Sequence, residues 1–102
     1  MKASEGKYEP TLVYSSLLKY TSKVRRYGID KHDNSEDWRT TEPVAHYDAA
    51  LRHLYAVIDG EELDESGLPH LAHCITNLMF ELERKYGGDH ANITRYKSLI
   101  NR

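Results

Sequence analysis

The sequence predicts an all-α fold, a small helical bundle of about four helices in a single domain spanning residues 1–102. Three segments carry apolar residues at spacings of three and four, which is the period of an amphipathic helix. No segment alternates between apolar and polar residues over a useful length, so we expect no sheet. The connections between the segments are short, as is typical of bundles.

The first helix is predicted over residues 11–27, with Gly28 as its end. A polar loop over residues 29–41 follows and contains Trp38, which must pack against the core or against a ligand. The apolar stripe of this helix consists of Val13, Leu17, Tyr20, Val24 and Tyr27.

The second helix is predicted to begin near Thr41, which can cap it, with Pro43 in its first turn. It is expected to end at residues 59–60, where Asp precedes Gly. Its apolar stripe consists of Val44, Tyr47, Leu51, Leu54 and Ile58.

The third helix is predicted to begin after Gly67, with Pro69 in its first turn, and to end at residues 87–88. A short fourth helix is predicted over residues 89–100. The stripe of the third helix approaches a heptad pattern and consists of Leu68, Leu71, Ile75, Leu78 and Leu82.

Apolar residues also lie outside these stripes, and a chain of this length builds only a modest core. Helices that are apolar on more than one side are usually buried on more than one side, so we expect a homo-oligomer, at least a dimer. The alternative is that the loops and the terminal helix cover these residues. The residues concerned are Tyr14, Leu18, Tyr55, Val57, Met79 and Phe80.

Composition excludes several classes of function. The net charge of −2 gives no reason to expect DNA or RNA binding. No apolar run approaches the ~18 residues of a membrane span, and residues 1–6 lack an apolar signal core. The single cysteine, Cys74, fits a reducing compartment, and we expect it to be a buried hydrophobe rather than a nucleophile. The sequence therefore predicts a cytoplasmic protein.

Histidines and acids are concentrated around the second and third predicted helices. His46 and His53 are seven residues apart, and His70 and His73 are three apart, so each pair shares a helix face. Such a pair can chelate a metal ion, although helical histidines are more often solvent-facing or hydrogen-bonded. The acidic loop over residues 60–67 can add oxygen ligands for Mg²⁺ or Mn²⁺.

Arg52 follows Asp48 by one helical turn. The simpler interpretation is an intrahelical ion pair worth ~0.3–0.5 kcal/mol. The alternative is a guanidinium presented to a phosphate group and held in place by the carboxylate of Asp48.

Two stretches, DAALRHL at residues 48–54 and SGLPHLAH at residues 66–73, carry a family resemblance that extends over residues 20–83. They resemble the phage-associated family known as the dATP/dGTP diphosphohydrolase N-terminal domain, which is similar to MazG-like all-α nucleotide pyrophosphohydrolases. The resemblance implies a nucleotide-binding domain with a MazG-like bundle completed by oligomerisation. It also implies divalent-metal-dependent cleavage of a purine deoxynucleoside triphosphate to the monophosphate and pyrophosphate, in the host cytoplasm if the gene is phage-encoded.

The leading hypothesis is therefore a metal-dependent nucleotide pyrophosphohydrolase in which a metal-bound water attacks a phosphorus atom and cationic groups stabilise the phosphates. The assigned residues are Glu61, Asp64, His70 and His73 for the metal, Glu61 and Asp64 also for catalysis, Lys31, Arg52 and His53 for the phosphates, and Trp38 and Tyr27 for the base.

Two other functions remain open. MazG-like enzymes bind metal through a glutamate-rich set, whereas the corresponding helices here offer mainly Arg52 and histidines. A non-catalytic phage protein that binds and sequesters a nucleotide signal, such as a cyclic dinucleotide of antiphage defence, is the first alternative. The second is a helical protein-interaction module whose histidines are structural.

Overall fold

The fold is known from a computed structural model, which describes residues 5–87. Within this range the chain is all-helical, which confirms the predicted fold class, and β pairing is limited to one isolated bridge between Leu63 and Pro69. The fourth helix predicted over residues 89–100 lies outside the described residues. The helices are a 3₁₀ turn at Pro10–Leu12, α1 at Ser15–His32, a second 3₁₀ turn at Asp37–Arg39, α2 at Pro43–Ile58 and α3 at His70–Tyr86.

Helix α1 begins and ends later than the sequence predicts. Gly28 does not stop it, and the helix continues to His32, where Asp33 adopts the left-handed conformation with φ 54° and caps it. A glycine inside a helix costs about 1 kcal/mol. Burial of Ile29 directly after it offsets that cost, since a buried large aliphatic side chain contributes about 1.5–3 kcal/mol.

Helices α2 and α3 lie close to their predicted positions. Helix α2 begins at Pro43, but its N-cap is Glu42 without a side-chain hydrogen bond, so the prediction that Thr41 caps it is wrong. The hydroxyl of Thr41 instead donates to the carbonyl of Asp37. Helix α3 begins one residue after Pro69 and ends before Gly87.

Helix α3 is the central element of the described fold. It packs against both α1 and α2, and within residues 5–87 no Cα atom of α1 lies within 8 Å of a Cα atom of α2. The residues that α3 buries are mostly polar, which is unusual for a core. They are His70, Ala72, His73, Cys74, Thr76 and Glu81.

The apolar stripes do not close around a common core in the described chain. Most of their members on α2 and α3 are exposed, although Val24 of the first stripe is buried. Polar contacts instead select the inward face of α3: the buried carboxylate of Glu81 pairs with His46 of α2 and with Arg84. The buried hydrophobic residues are Val24, Ile29, Trp38, Ala50, Ala72 and Cys74.

The second 3₁₀ turn is attached to α3 by stacking and by hydrogen bonds. The indole of Trp38 stacks on Phe80 with ring centroids 5.0 Å apart. Arg84 donates to the carbonyl oxygens of Trp38 and Arg39 at 2.7 and 3.1 Å. No helix in the described range is long and apolar enough to span a lipid bilayer.

Candidate metal centre

Three ligand-type side chains converge where α2, the acidic loop and α3 meet. His53 is on α2, Asp64 is on the loop, and His70 is the first residue of α3. The Nδ1 atoms of the two histidines are 2.8 Å apart. Asp64 Oδ1 lies 4.0 Å from His53 Nδ1 and 3.9 Å from His70 Nδ1. We call His53, Asp64 and His70 the metal triad, because their donor atoms all lie within 4.8 Å of one another.

The loop between α2 and α3 folds so that Asp64 faces the helices. Gly60 and Gly67 have φ values of 94° and 81°, which other residues rarely adopt. The backbone amide of Asp64 donates to the carbonyl oxygen of Leu68, and the backbone amide of Ser66 donates to the Asp64 carboxylate at 2.9 Å. The loop thereby places the carboxylate of Asp64 beside His70 and His73, which lie in the first turn of α3.

His73 and Glu61 extend the metal triad on two sides. His73 Nε2 is 3.4 Å from Asp64 Oδ2 and 2.9 Å from the Ser66 hydroxyl, and its ring stacks on that of His53. Glu61, whose side chain is largely exposed, places Oε2 at 3.4 Å from His70 Nε2. That nitrogen of His70 is buried and makes no hydrogen bond within the described part of the chain.

Burial and hydrogen bonding favour the metal-binding protonation states of these groups. Burial lowers the pKa of His53 and of His73, so both imidazoles stay neutral near pH 7. Burial acts to raise the pKa of Asp64, but hydrogen bonds from Ser66 and the proximity of His73 outweigh it and leave the pKa lowered. Neutral imidazole and ionised carboxylate are the forms that bind metals.

The donor set fits a divalent transition metal. Two imidazole nitrogens suit ions such as Fe²⁺ or Zn²⁺, and the carboxylate oxygen also suits Mn²⁺, so the mixed set favours a transition metal over Mg²⁺, which prefers oxygen ligands. Adjacent ligands around an ion with bonds of ~2.1 Å are about 3 Å apart. The two Nδ1 atoms have this separation, whereas Asp64 Oδ1, at 3.9 and 4.0 Å from them, has to move closer to bind the same ion. The other ring nitrogen of His70, Nε2, is buried and lies 3.4 Å from Glu61 Oε2.

A cavity of about 360 Å³, with a largely apolar surface and several polar side chains around it, adjoins the metal triad between α1, the second 3₁₀ turn and α3. His73 connects the cavity to the metal triad, since its side chain lines the cavity and its Nε2 atom lies 3.4 Å from Asp64 Oδ2. Tyr27 meets His73 edge-on with centroids 6.2 Å apart, and the ammonium group of Lys31 lies 5.8 Å from the Tyr27 ring. Asn77, one turn beyond His73, also lines the cavity.

The structure brings together the four residues predicted from sequence to bind metal, and adds a fifth. Glu61, Asp64, His70 and His73 lie in one cluster. His53, which the sequence assigned to phosphate binding, lies in the same cluster as Asp64 and His70, and its role in phosphate binding stays a prediction. Sequence analysis did not identify Ser66 as the residue that orients Asp64. The signal for it is the Asp-x-Ser spacing, which is typical of a turn in which the Asp side chain accepts a hydrogen bond from the backbone amide two residues later.

The other predicted site residues lie apart from the metal triad. Arg52 is exposed on α2, and no ion pair within 4.0 Å joins it to Asp48 in the described structure. Trp38 is only 6% exposed, stacks on Phe80 and lies under the guanidinium of Arg39 at 4.4 Å. It lines the cavity, and its stacking on a base stays a prediction.

These features define a small all-α protein with a histidine–carboxylate cluster beside a cavity. Over residues 1–92 the chain matches the family described as dATP/dGTP diphosphohydrolase, N-terminal, and it belongs to that family. The match confirms the resemblance carried by the stretches at residues 48–54 and 66–73. Comparisons with curated proteins and with solved structures gave no match.

Proposed function

We propose that this protein is a metal-dependent nucleotide pyrophosphohydrolase that acts on purine deoxynucleoside triphosphates. The observation that carries the proposal is the metal triad, His53, Asp64 and His70, lying beside a cavity through the shared neighbour His73. The family description, which names a dATP/dGTP diphosphohydrolase, supports this class of chemistry.

A divalent ion held by the metal triad would supply Lewis-acid stabilisation of phosphate oxygens and lower the pKa of an attacking water. The protein side chains then have distinct tasks. Glu61, exposed and close to His70, accepts the proton of the water. Ser66 and His73 keep Asp64 oriented and ionised. The water oxygen bonds to the α-phosphorus, and pyrophosphate leaves.

The nucleotide is placed by Lys31 and Tyr27, which line the cavity, and by Arg52, which precedes His53 on α2 outside the cavity lining. Lys31 and Arg52 are both exposed cations and bind the phosphate oxygens that gain charge during the reaction. Tyr27 lies at the edge of His73 and offers a ring face to the purine.

The single cysteine, Cys74, is buried, and burial raises the pKa of its thiol. An inert thiol of this kind fits activity in a reducing cytoplasm.

The decisive experiment incubates the protein with a panel of nucleotides and Mn²⁺ and resolves ligands and products by ion-exchange chromatography. Monophosphate plus pyrophosphate from dATP or dGTP, lost in Asp64→Asn, supports the proposal. Depletion of a nucleotide that is recovered intact after denaturation would replace hydrolysis by the sequestering function. If no nucleotide is either cleaved or retained, both are wrong and a protein-interaction module is favoured.

A further inference from the structure

Gly28 occupies the interior of α1, where glycine is an unfavourable residue. Unlike Gly60 and Gly67, it has no positive φ, so its backbone conformation is one that any residue adopts. A Cβ atom added to it would meet no neighbouring atom of the described chain within 4 Å, so close packing does not require its small size. Neither backbone geometry nor packing within residues 5–87 therefore explains a glycine at this position.

Gly28 lies at the centre of the α1 face that lines the cavity of about 360 Å³ beside the metal triad. Residues one turn before it and one turn after it line the same cavity, and they are Val24, Arg25, Lys31 and His32. Residues three and four apart lie on one face of a helix. Because Gly28 itself is part of this wall, a side chain at position 28 would occupy part of the cavity.

The lining of the cavity suits a flat ring with polar edges. Pockets for small ligands have volumes of about 300–1,000 Å³ and are lined mainly by apolar and aromatic groups with a few polar ones. The side-chain amide nitrogen of Asn77 donates to the carbonyl oxygen of His73 at 2.9 Å, so its Oδ1 atom is the acceptor that it can offer to an N–H group of a ligand. Aromatic and polar side chains around the cavity include Tyr27, Trp38, Phe80, Thr76 and Asn77.

The metal triad determines which end of a nucleotide lies in this cavity. A metal ion held there would bind phosphate oxygens. His73 separates the two places, since its Nε2 atom lies 3.4 Å from Asp64 Oδ2 and its side chain lines the cavity. Phosphates at the metal triad therefore leave the cavity, with Gly28 in its wall, as the place for the base.

We propose that Gly28 is a specificity-determining residue whose lack of a side chain leaves the space in which the purine base lies. This proposal rests on the proposed function, since it takes the metal triad as the phosphate site. A purine has two fused rings and a pyrimidine has one, so a side chain at position 28 excludes the purine first. The glycine weakens α1 and keeps the cavity wide enough for the larger base.

The test compares Gly28→Leu with the wild type by calorimetry, using Mn²⁺ and non-hydrolysable analogues of dATP and dCTP. We expect the dissociation constant for the dATP analogue to rise by about 10-fold or more, since a single methylene group in a shaped pocket has an effect of this order. The dCTP analogue is expected to lose less affinity, and Mn²⁺ none. Ser22→Leu is the matched control, because it adds the same side chain at an exposed position of α1 outside the lining of this cavity.

Loss of folding is an unlikely confounder because leucine and alanine both favour a helix more than glycine does. Circular dichroism checks that the variants keep the helix content of the wild type. Gly28→Ala, which adds one carbon atom, is expected to bind the dATP analogue with an affinity between those of the wild type and Gly28→Leu. Unchanged affinity of Gly28→Leu for the dATP analogue, or equal losses for the two analogues, would overturn the proposal.

Turnover of dATP by the same proteins distinguishes this proposal from the proposed function. If the wild type cleaves dATP and Gly28→Leu does so with the same KM, only the role of Gly28 is wrong. If the wild type binds the dATP analogue without cleaving dATP, and Gly28→Leu loses that binding, only the hydrolytic activity is wrong. A wild type that neither binds the analogue nor cleaves dATP contradicts both.

Discussion

The carboxylate of Asp64 lies close to three imidazole rings at the candidate metal centre. Asp64 lies within 4.0 Å of His53, His70 and His73 while accepting a hydrogen bond from Ser66. If the site holds a cation, Asp64 is the anion that compensates its charge, so the proposed site depends on Asp64 more than on any one imidazole.

Asp64→Asn is expected to raise the dissociation constant for Mn²⁺ by about 100-fold or more, because the amide keeps the shape of the ligand but loses its charge. Isothermal calorimetry measures the affinity directly. Glu65→Gln is the control, since Glu65 is an exposed acid on the same loop. Equal Mn²⁺ affinity in Asp64→Asn and the wild type would contradict the assignment.

Arg52→Ala is expected to weaken nucleotide binding by roughly 1.5–3 kcal/mol, the scale of a charge-assisted hydrogen bond to phosphate. Arg52 is exposed and directly precedes His53 of the metal triad. Calorimetry with a non-hydrolysable dATP analogue gives the affinity, and Lys19→Ala, an exposed cation on α1, is the control. If Arg52→Ala binds as tightly as the wild type, Arg52 is not part of the site.

At the scale of elements, α1 is the helix with the most conspicuous local defect. Gly28 lies inside it at ordinary helical geometry, and a Cβ atom added there would meet no atom within 4 Å. The glycine therefore weakens the helix without being required by its packing.

Gly28→Ala is expected to raise the free energy of unfolding by about 0.5–1 kcal/mol, because alanine restricts the unfolded chain and favours the helix. Gly60→Ala is the contrast: at φ 94° a side chain is strained, and we expect a loss of about 1 kcal/mol or more. Urea unfolding of both variants checks this. A destabilised Gly28→Ala would mean that residue 28 is not helical in solution.

At the scale of the whole molecule, α3 has two faces of opposite character. Its polar face carries residues of the candidate site and the buried ion pairs of Glu81, whereas its apolar face is largely exposed within residues 5–87. The stability of the molecule should therefore depend on the ionisation of its interior.

Stability is expected to decline as the pH falls below about 6.5, the pKa of an unperturbed histidine. The pKa values of His53 and His73 are lowered in the folded state. Between the folded and unfolded values, the unfolded chain binds more protons, so the free energy of unfolding decreases on acidification. Urea titrations from pH 8 to pH 5, with chelator and at fixed protein concentration, measure it. A flat profile would show that these imidazoles titrate normally.

Patterns within single segments were enough to predict the all-helical fold class of the described chain and the positions of α2 and α3, whereas the roles of the candidate site residues stay predictions. The apolar spacings placed α2 and α3 correctly because periodicity is a property of one segment. The acidic loop and the pair His70 and His73 are local in the chain, so their proximity followed from spacing. In α1, Gly28 predicted the end of the helix, but the helix continues to His32 because the burial of Ile29 stabilises it.

Only the tertiary structure decided which face of each helix points inward. His46 and His53 have the same spacing signal, yet one pairs with Glu81 and the other joins the metal triad. Those partners are 35 and 17 residues away along the chain. An amphipathic pattern identifies two faces but not which one the chain itself buries, because that choice depends on contacts between helices rather than on any one helix.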